Sequence, residues 1–510
     1  MKRRVRFAIL AVLCIGAGAF FRWEMRTSRL QALVFSRVSR EIGFQIASGP
    51  SPAIRFPGAG PYDVRLGYAR IPEILPSLES AGYTIEAQAR ASERFLRVVD
   101  LGLFPIYREK DRAGLLILDR AGEPLYSTIY PQNVYSSFDE IPKLVADIVL
   151  YIENRELLDP DTPYRNPAVE WDRLAYAVGQ AVLRFFDPDR EVPGGSTLAT
   201  QMEKYRHATG GFTSSFQEKA GQMLSASLRA YLDGEETIDA RRGILRAHLN
   251  SLPLAAVSGY GEVIGLGDGL SAWYGSRFDE VNSLLSSRAA DIDPSEREAW
   301  GLALKEVVSL ILAQRRPTAY FRERTALERW TDSYLVLLAN AGILAPIEKD
   351  LAARARLAWA SPSAERRRIP FVDRKAANAI RVRLLSLLGA SDLYELDRLD
   401  LTVTSSVDAR VQDGATRLLR RLEDPEYIRE AGLDAFRLLD QGDPSRIIYS
   451  VTIYEKGEGE NLLRVQADNL NQPLNINEGT QLELGSSAKL RTLATYLEVV
   501  AELRERLTSP

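Results

Sequence analysis

Four short segments near the middle of the chain carry polar side chains that a purely structural helix does not need. The first contains Glu153 and Arg155, the next two cover residues 194–204 and 218–223, and the fourth consists of short runs between 242 and 275. A positioned carboxylate can take a proton from a reacting hydroxyl group. Hydroxyl, amide and ammonium groups at a helix start can bind an anion. These residue types predict acid–base chemistry on a substrate that carries negative charge.

The residues that are scarce in this sequence disfavour several other kinds of site. His207 and His248 are the only two histidines, and Cys14 is the only cysteine. A zinc site of the usual composition or a Ser-His-Asp triad is therefore disfavoured, and no disulfide bond can form within the chain. The formal net charge of −3 gives no reason to expect a nucleic-acid partner. Catalysis must rest on carboxylates, Ser, Lys and Arg.

Each polar segment also has an ordinary structural explanation when it is taken alone. A Glu at a helix end is usually a solvated surface residue, and the run 194–197 could be a simple helix N-cap. The glycine-rich run 265–269 resembles a nucleotide-binding loop, but the strand and helix spacing of such a motif is missing. We therefore reject the nucleotide-binding interpretation of that run.

The N-terminus has the pattern of a membrane anchor. Lys2, Arg3, Arg4 and Arg6 precede an uncharged run, 7–21, which Arg22 and Trp23 close. This pattern predicts a single transmembrane helix with the rest of the chain on the extracytoplasmic side. Small residues at 17–19 leave a cleaved signal peptide as the alternative.

The elements that must position the polar segments follow from the periodicity. Alternating apolar residues around Arg120–Glu123 predict a β-hairpin, and apolar residues three or four apart predict a mainly helical region over about 141–344. The predicted architecture is multidomain: a transmembrane helix (1–25), a linker helix with a small α/β module (26–112), a mainly α domain with a leading hairpin (113–345), a linker (346–400) and an incomplete α/β C-terminal part (401–510).

The order and spacing of the four central segments resemble those of glycosyltransferase family 51. This family is the lysozyme-like transglycosylase domain of class A penicillin-binding proteins, which polymerises the glycan strand of the bacterial cell wall. The resemblance covers about residues 141–344, including Leu312-Ala313-Gln314 and Pro317-Thr318-Ala319-Tyr320 near its end. It implies a peptidoglycan glycosyltransferase whose partners are lipid II, the growing glycan strand, the inner membrane and other cell-wall synthesis proteins.

The resemblance also assigns roles to particular residues. It makes Glu153 the base that deprotonates the sugar 4-hydroxyl of lipid II, with Gln222 at the position of a second carboxylate. It implies no certain cofactor, although a divalent cation, Mg²⁺ or Mn²⁺, would suit the departing pyrophosphate. The implied substrate-binding residues are Arg155, Gly194, Gly195, Ser196, Thr197, Gln201, Lys204, Lys219, Arg242 and Asn250.

Several positions depart from the family pattern and keep other functions open. Asn154, Thr200, Glu218 and Gln222 stand where the family has Asp, Gln, Arg and Glu. An amide cannot act as a base, so a non-catalytic scaffold for wall synthesis is the main alternative. A lytic glycosidase is a third hypothesis, because one catalytic Glu suits both glycosyl transfer and glycoside hydrolysis. The apolar run 174–186 is either a core helix or a face that dips into the membrane.

The C-terminal part contains one motif of a different enzyme. Ser486 and Lys489 have the spacing at which a Lys can deprotonate a Ser on a helix start. Together with the run 403–408 they resemble the start of a penicillin-binding transpeptidase domain. The later motifs of that domain do not occur in this sequence. We therefore expect a truncated region that does not cross-link peptides.

Overall fold

The computed structural model describes residues 2–58, 60–173, 176, 180, 196–213, 215–360, 371–435, 439, 442–479 and 485–508. These residues are mostly helical, with a few small sheets. Two compact units are present. The first comprises 1–116, 127–366 and 384–402, and the second comprises 117–126, 367–383 and 403–510.

The helices are numbered here in chain order. They are α1 (Lys2–Thr27), α2 (Arg29–Ser39), α3 (Pro61–Arg65), α4 (Ile71–Ser80), α5 (Glu93–Asp100), α6 (Lys143–Glu153), α7 (Leu198–His207), α8 (Phe216–Ala230), α9 (Ile238–Asn250), α10 (Gly265–Gly269), α11 (Phe278–Leu285), α12 (Arg297–Ala313), α13 (Pro317–Arg322), α14 (Arg324–Asn340), α15 (Pro346–Arg354), α16 (Lys375–Leu388), α17 (Leu393–Leu396), α18 (Ala409–Arg421), α19 (Pro425–Glu430), α20 (Ile476–Gly479) and α21 (Ser487–Thr508). A wider helical turn, Leu270–Tyr274, continues α10.

The strands form four small sheets. They are β1 (Phe44–Ser48), β2 (Ala87–Ala91), β3 (Leu115–Leu118), β4 (Pro124–Ser127), β5 (Pro253–Val257), β6 (Gly261–Ile264), β7 (Leu401–Thr404), β8 (Ser450–Lys456) and β9 (Asn461–Asp468). β1 pairs with β2, β5 with β6 and β8 with β9, each antiparallel, and the remaining sheet has the order β4-β3-β7.

The prediction of an N-terminal transmembrane helix was wrong. The segment is helical, as α1, but among the described residues no helix is both long and apolar enough to cross a membrane. The uncharged run 7–21 explains this result. At 1.5 Å per residue its length is roughly 22 Å, which is shorter than the ~30 Å hydrocarbon core of a bilayer. The predicted fold class, which began with this helix and two α/β parts, is replaced by a mostly helical chain with small sheets.

The hairpin predicted around residues 120–123 is present as β3 and β4. Its turn is closed by a backbone hydrogen bond of 2.8 Å from Asp119 N to Glu123 O. The Asp119 carboxylate also accepts hydrogen bonds from the N–H groups of Ala121 and Glu123. Gly122 has a φ of 90°, which an L side chain rarely adopts. Successive side chains of β3 point to opposite faces of the sheet, and Leu115 is fully buried on one of these faces.

The core of the first unit packs around α12. Trp300, Leu304 and Val308 on this helix are fully buried, and most of their neighbours on α12 are buried as well. α6 packs against α12 through apolar residues such as Val145 and Ile148, which lie three apart on one face. The ends of these two helices are therefore held by well-packed interior segments.

The second unit is built on β8, β9 and α18. Leu419 of α18 packs against Val465 and Ala467 of β9. The Gln412 side chain accepts a hydrogen bond from the N–H of Gln466 and donates one to its carbonyl, at 2.9 Å each. This amide pair fixes the helix against the strand, because it occupies both backbone groups of one residue.

Candidate active site

Glu153 is the last residue of α6, and its carboxylate is 10% exposed. The helix ends there because Asn154 leaves the helical region, with φ −158° and ψ 88°. Gln314 Nε2 donates to Glu153 Oε1 at 3.2 Å, and an Arg315 guanidinium nitrogen lies 3.3 Å from the same oxygen. Burial raises the pKa of Glu153, and the positive charge of Arg315 opposes that rise.

A cavity of about 930 Å³ lies beside Glu153. The carboxylate faces it together with residues of α1 and of the loop that follows α6. Its lining residues are Gly18, Phe21, Arg22, Met25, Arg26, Tyr151, Ile152, Glu153, Asn154, Arg155, Glu156, Asp159, Thr162, Arg165, Glu170, Trp171, Asp172 and Arg173. The volume is in the range of natural ligand sites, so a substrate group can approach the carboxylate from this side.

The loop after α6 is held by Arg241, a residue that sequence reasoning missed. Its side chain is fully buried. The guanidinium donates to the carbonyl oxygens of Leu157, Asp159 and Thr162 at 3.0, 3.2 and 2.8 Å. The guanidinium group is planar and carries several N–H donors, so one residue can hold three carbonyl groups. No motif in the sequence distinguishes Arg241 from its neighbour.

Arg242, which the resemblance places in the substrate site, does not line this cavity. Its side chain is 48% exposed and pairs with Asp239 at 3.3 Å, one helical turn away. Arg155 does line the cavity, with its guanidinium 4.1 Å from the centre of the Tyr151 ring.

The start of α7 carries a reciprocal capping arrangement. The Thr197 hydroxyl accepts from the N–H of Thr200 at 3.3 Å, and the Thr200 hydroxyl accepts from the N–H of Thr197 at 3.0 Å. Both side chains are 1% exposed. Thr200, which departs from the family pattern, therefore has a structural role in closing the first turn of α7.

Lys219 and Ser196 form the contact that best fits an anion site. Lys219 Nζ donates to Ser196 Oγ at 2.7 Å, which joins α8 to the segment before α7. Burial lowers the pKa of Lys219, and the nearby charge of Lys204 lowers it further. Two cations that repel each other in a half-buried place are favoured by an anion between them. Gln201 lies at the end of the first turn of α7 and is half-buried.

Gln222 is fully buried, and its amide faces the protein. It donates to Thr213 Oγ1 at 2.9 Å, and Thr213 Oγ1 lies 3.2 Å from its Oε1. Asn250 is also internal, because its amide exchanges two hydrogen bonds of 2.9 Å with the backbone of Tyr135. Both residues hold the fold together. Gly194 and Gly195 lie outside the described residues, as does most of the run 174–186.

A buried charge cluster lies under α7 and α8. It comprises Asp63, Glu109, Glu203, His207 and Arg229. His207 contacts Asp63 through Nδ1 at 2.8 Å and Glu109 through Nε2 at 3.3 Å. Arg229 bridges Glu203 and Glu109. The cluster ties both helices of the candidate anion site to the segment that contains α3.

The described residues thus form two groups of candidate site residues. Glu153 and Arg155 line the cavity, whereas Ser196 precedes α7, Lys204 lies in the last turn of α7 and Lys219 lies on α8. Within the second group, Lys219 contacts Ser196.

Ser486 and Lys489 lie in the second unit, next to the start of α21 and on its first turn. Both are exposed, and the contact that links them is a backbone hydrogen bond of 3.1 Å from Lys489 N to Ser486 O.

The described part of the chain holds no group of three or more His, Cys, Asp or Glu residues that could hold a metal ion. Gln222, at the position of the second carboxylate, is directed into the protein and is a weak metal ligand. The described residues therefore do not fit a divalent-cation site.

A comparison with curated proteins found no match to this chain. Residues 122–340 match the model of the transglycosylase family. The matched range contains the cavity-facing Glu153 and the Ser196–Lys219 contact. The match supports peptidoglycan glycosyltransferase activity in general for this part of the chain.

Proposed function

We propose that this chain polymerises lipid II into peptidoglycan glycan strands, as a divergent relative of class A penicillin-binding proteins. One observation carries the proposal: a nearly buried carboxylate, Glu153, faces a cavity of about 930 Å³ within the transglycosylase domain. The substrates are lipid II and the growing, lipid-linked strand. The reaction takes place at the outer face of the cytoplasmic membrane, where other cell-wall synthesis proteins act.

Glu153 is the general base of the proposed reaction. A sugar hydroxyl is a poor nucleophile at neutral pH, so its proton must leave as the oxygen attacks. The 4-hydroxyl oxygen of lipid II forms a bond to the anomeric carbon of the growing strand while the bond from that carbon to the pyrophosphate oxygen breaks. Its proton passes to the carboxylate. Attack on the face opposite the leaving group inverts the anomeric centre, without a covalent sugar intermediate.

The leaving pyrophosphate is bound by Lys204, Lys219 and Ser196. Negative charge develops on the departing oxygen, and preformed cations lower the energy of that state because they need no reorganisation. The lowered pKa of Lys219 supports this role, since an anion would relieve the repulsion between the two ammonium groups. Arg155 at the cavity contributes a further positive charge.

The test is lipid II polymerisation by the full chain in detergent, with Glu153→Gln as the key variant. Asp147→Asn is the matched control, because it makes the same chemical change on α6 at a surface carboxylate that pairs with Lys143 at 2.6 Å. We expect glycan strands from the parent and the control, and a loss of at least a hundredfold in Glu153→Gln.

A non-catalytic scaffold is the second candidate, favoured by the internal hydrogen bonds of Gln222. A folded parent chain that binds lipid II but makes no polymer would overturn the transferase and support the scaffold. The proposal includes no peptide cross-linking by Ser486 and Lys489, whose side chains are both exposed.

A further inference from the structure

The segment after α12 contributes two donors to the carboxylate of Glu153. Gln314 Nε2 and the Arg315 guanidinium lie 3.2 and 3.3 Å from Oε1. Gln314 follows the last residue of α12, and that helix is buried along most of its length. A rigid interior helix thus delivers both donors to one oxygen.

The two donors distinguish the oxygens of the carboxylate. Within the described part of the chain, the hydrogen bonds to Glu153 fall on Oε1. Oε1 is therefore occupied, and Oε2 is left to accept a proton from an incoming hydroxyl group. A base that presents one defined oxygen meets its substrate in a single geometry, which lowers the entropy cost of proton transfer.

Arg315 also acts on the charge of Glu153. Removing a carboxylate from water disfavours its ionised form, whereas a guanidinium in contact favours it. Among the described residues, Arg315 is the cation within 4 Å of Glu153. Its own side chain is 46% exposed, so it reaches the carboxylate from the solvent side.

Other charged groups face the same cavity at greater distance from the carboxylate. Glu156 pairs with Arg165, and Glu170 pairs with Arg173 at 3.0 Å. Arg173 also favours the ionised form of Glu153 from its more distant position. The remaining charged lining residues are Arg22, Arg26, Arg155, Asp159 and Asp172.

We propose that Arg315 is a positioning residue for the catalytic base: together with Gln314 it holds Oε1, keeps Glu153 ionised and leaves Oε2 to take the proton from the sugar hydroxyl. This inference rests on the proposed polymerase function. It concerns a residue that touches the base and not the substrate, so its effect is on the state of Glu153.

The experiment compares Arg315→Gln and Arg315→Lys with Arg316→Gln in the full chain. Arg316 is the neighbouring exposed arginine and pairs with no carboxylate among the described residues, so it serves as the matched control. We expect the acid limb of the pH profile of kcat/KM to move up by about one pH unit in Arg315→Gln, which lowers activity about tenfold on that limb. In Arg315→Lys and in Arg316→Gln, the acid limb of the pH profile should stay at the pH at which it lies in the parent.

A second measurement does not depend on activity. Infrared difference titration of each protein against its Glu153→Gln counterpart reports the midpoint of the Glu153 carboxyl directly. A midpoint that rises in Arg315→Gln alone supports the inference. An active parent with an unchanged midpoint and an unchanged acid limb in Arg315→Gln overturns it. An inactive parent would show instead that the proposed polymerase function fails.

Discussion

Nδ1 of His207 lies 2.8 Å from Oδ2 of Asp63, and this buried contact joins the last residue of α7 to α3. The Tyr107 hydroxyl donates to the other oxygen of Asp63 at 3.0 Å. α7 carries Lys204 and is the helix capped by Thr197. The position of a candidate substrate-binding helix therefore depends on a charge contact with a segment outside the matched transglycosylase range.

His207→Ala is expected to destabilise the chain by about 3–5 kcal/mol, because buried Asp63 loses the imidazolium that it contacts, whereas Glu109 keeps its pairing with Arg229. The free energy of unfolding measured in urea tests this expectation. Arg242→Ala is the control, and it should change stability by about 0.5 kcal/mol or less because its side chain is largely exposed. A His207→Ala protein as stable as the control would contradict a structural role for the cluster.

The pKa values of the two histidines of the chain should lie on opposite sides of the ordinary value of 6.5. Contacts with Asp63 and Glu109 raise the pKa of His207 against its burial, whereas burial lowers the pKa of His248 to about 4. Two imidazole signals in NMR, assigned with the His207 variant, test this directly. A His207 signal that titrates at or below its ordinary value of 6.5 would contradict the pairing.

The effect of each histidine on stability follows from the sign of its shift. The raised pKa of His207 means that its contribution is complete below pH 6.5 and is lost as the pH rises through the folded pKa. The lowered pKa of His248 means that its contribution is present above pH 6.5 and is lost as the pH falls to about 4. Urea unfolding of the single variants across this range separates the two effects.

Lys219→Met should weaken the binding of lipid II about tenfold to a hundredfold, because a charge-assisted hydrogen bond to a phosphate group contributes about 1.5–3 kcal/mol. Lys219→Arg should retain most of the affinity, since the charge is kept. Lys143→Met is the control at an exposed lysine that pairs with Asp147. Equal affinity of the Lys219→Met and Lys143→Met proteins for lipid II would show that Lys219 does not bind the pyrophosphate.

Gln222→Glu restores the carboxylate of the family pattern, and we expect it to destabilise the chain. The side chain is fully buried and its amide donates to Thr213, so a carboxylate would lose that donor and would be buried with a charge. The cost should be on the order of 1–3 kcal/mol and larger at pH 8 than at pH 5, because burial favours the protonated acid. Urea unfolding at both pH values measures it. A gain of polymerase activity without loss of stability would mean that the position is catalytic.

The local pattern predicted several elements correctly. The hairpin around Gly122 and the helix that ends at Glu153 follow from short-range alternation and periodicity, and both are present. The prediction of a transmembrane helix was wrong. The flanking charges suggested an anchor, whereas the uncharged run between them is too short to span a bilayer comfortably. The length of the uncharged run, rather than the order of the charges around it, accounts for the wrong prediction.

The amino-acid sequence by itself determined which residue types could do chemistry, since carboxylates and lysines at motif spacing are visible without a fold. Only the tertiary structure decided which of them face a cavity. It placed Arg241 inside and Arg242 outside, although they are neighbours in sequence, because successive residues of a helix point about 100° apart. It also brought Arg315 to Glu153, a contact between residues 162 positions apart that no local pattern records.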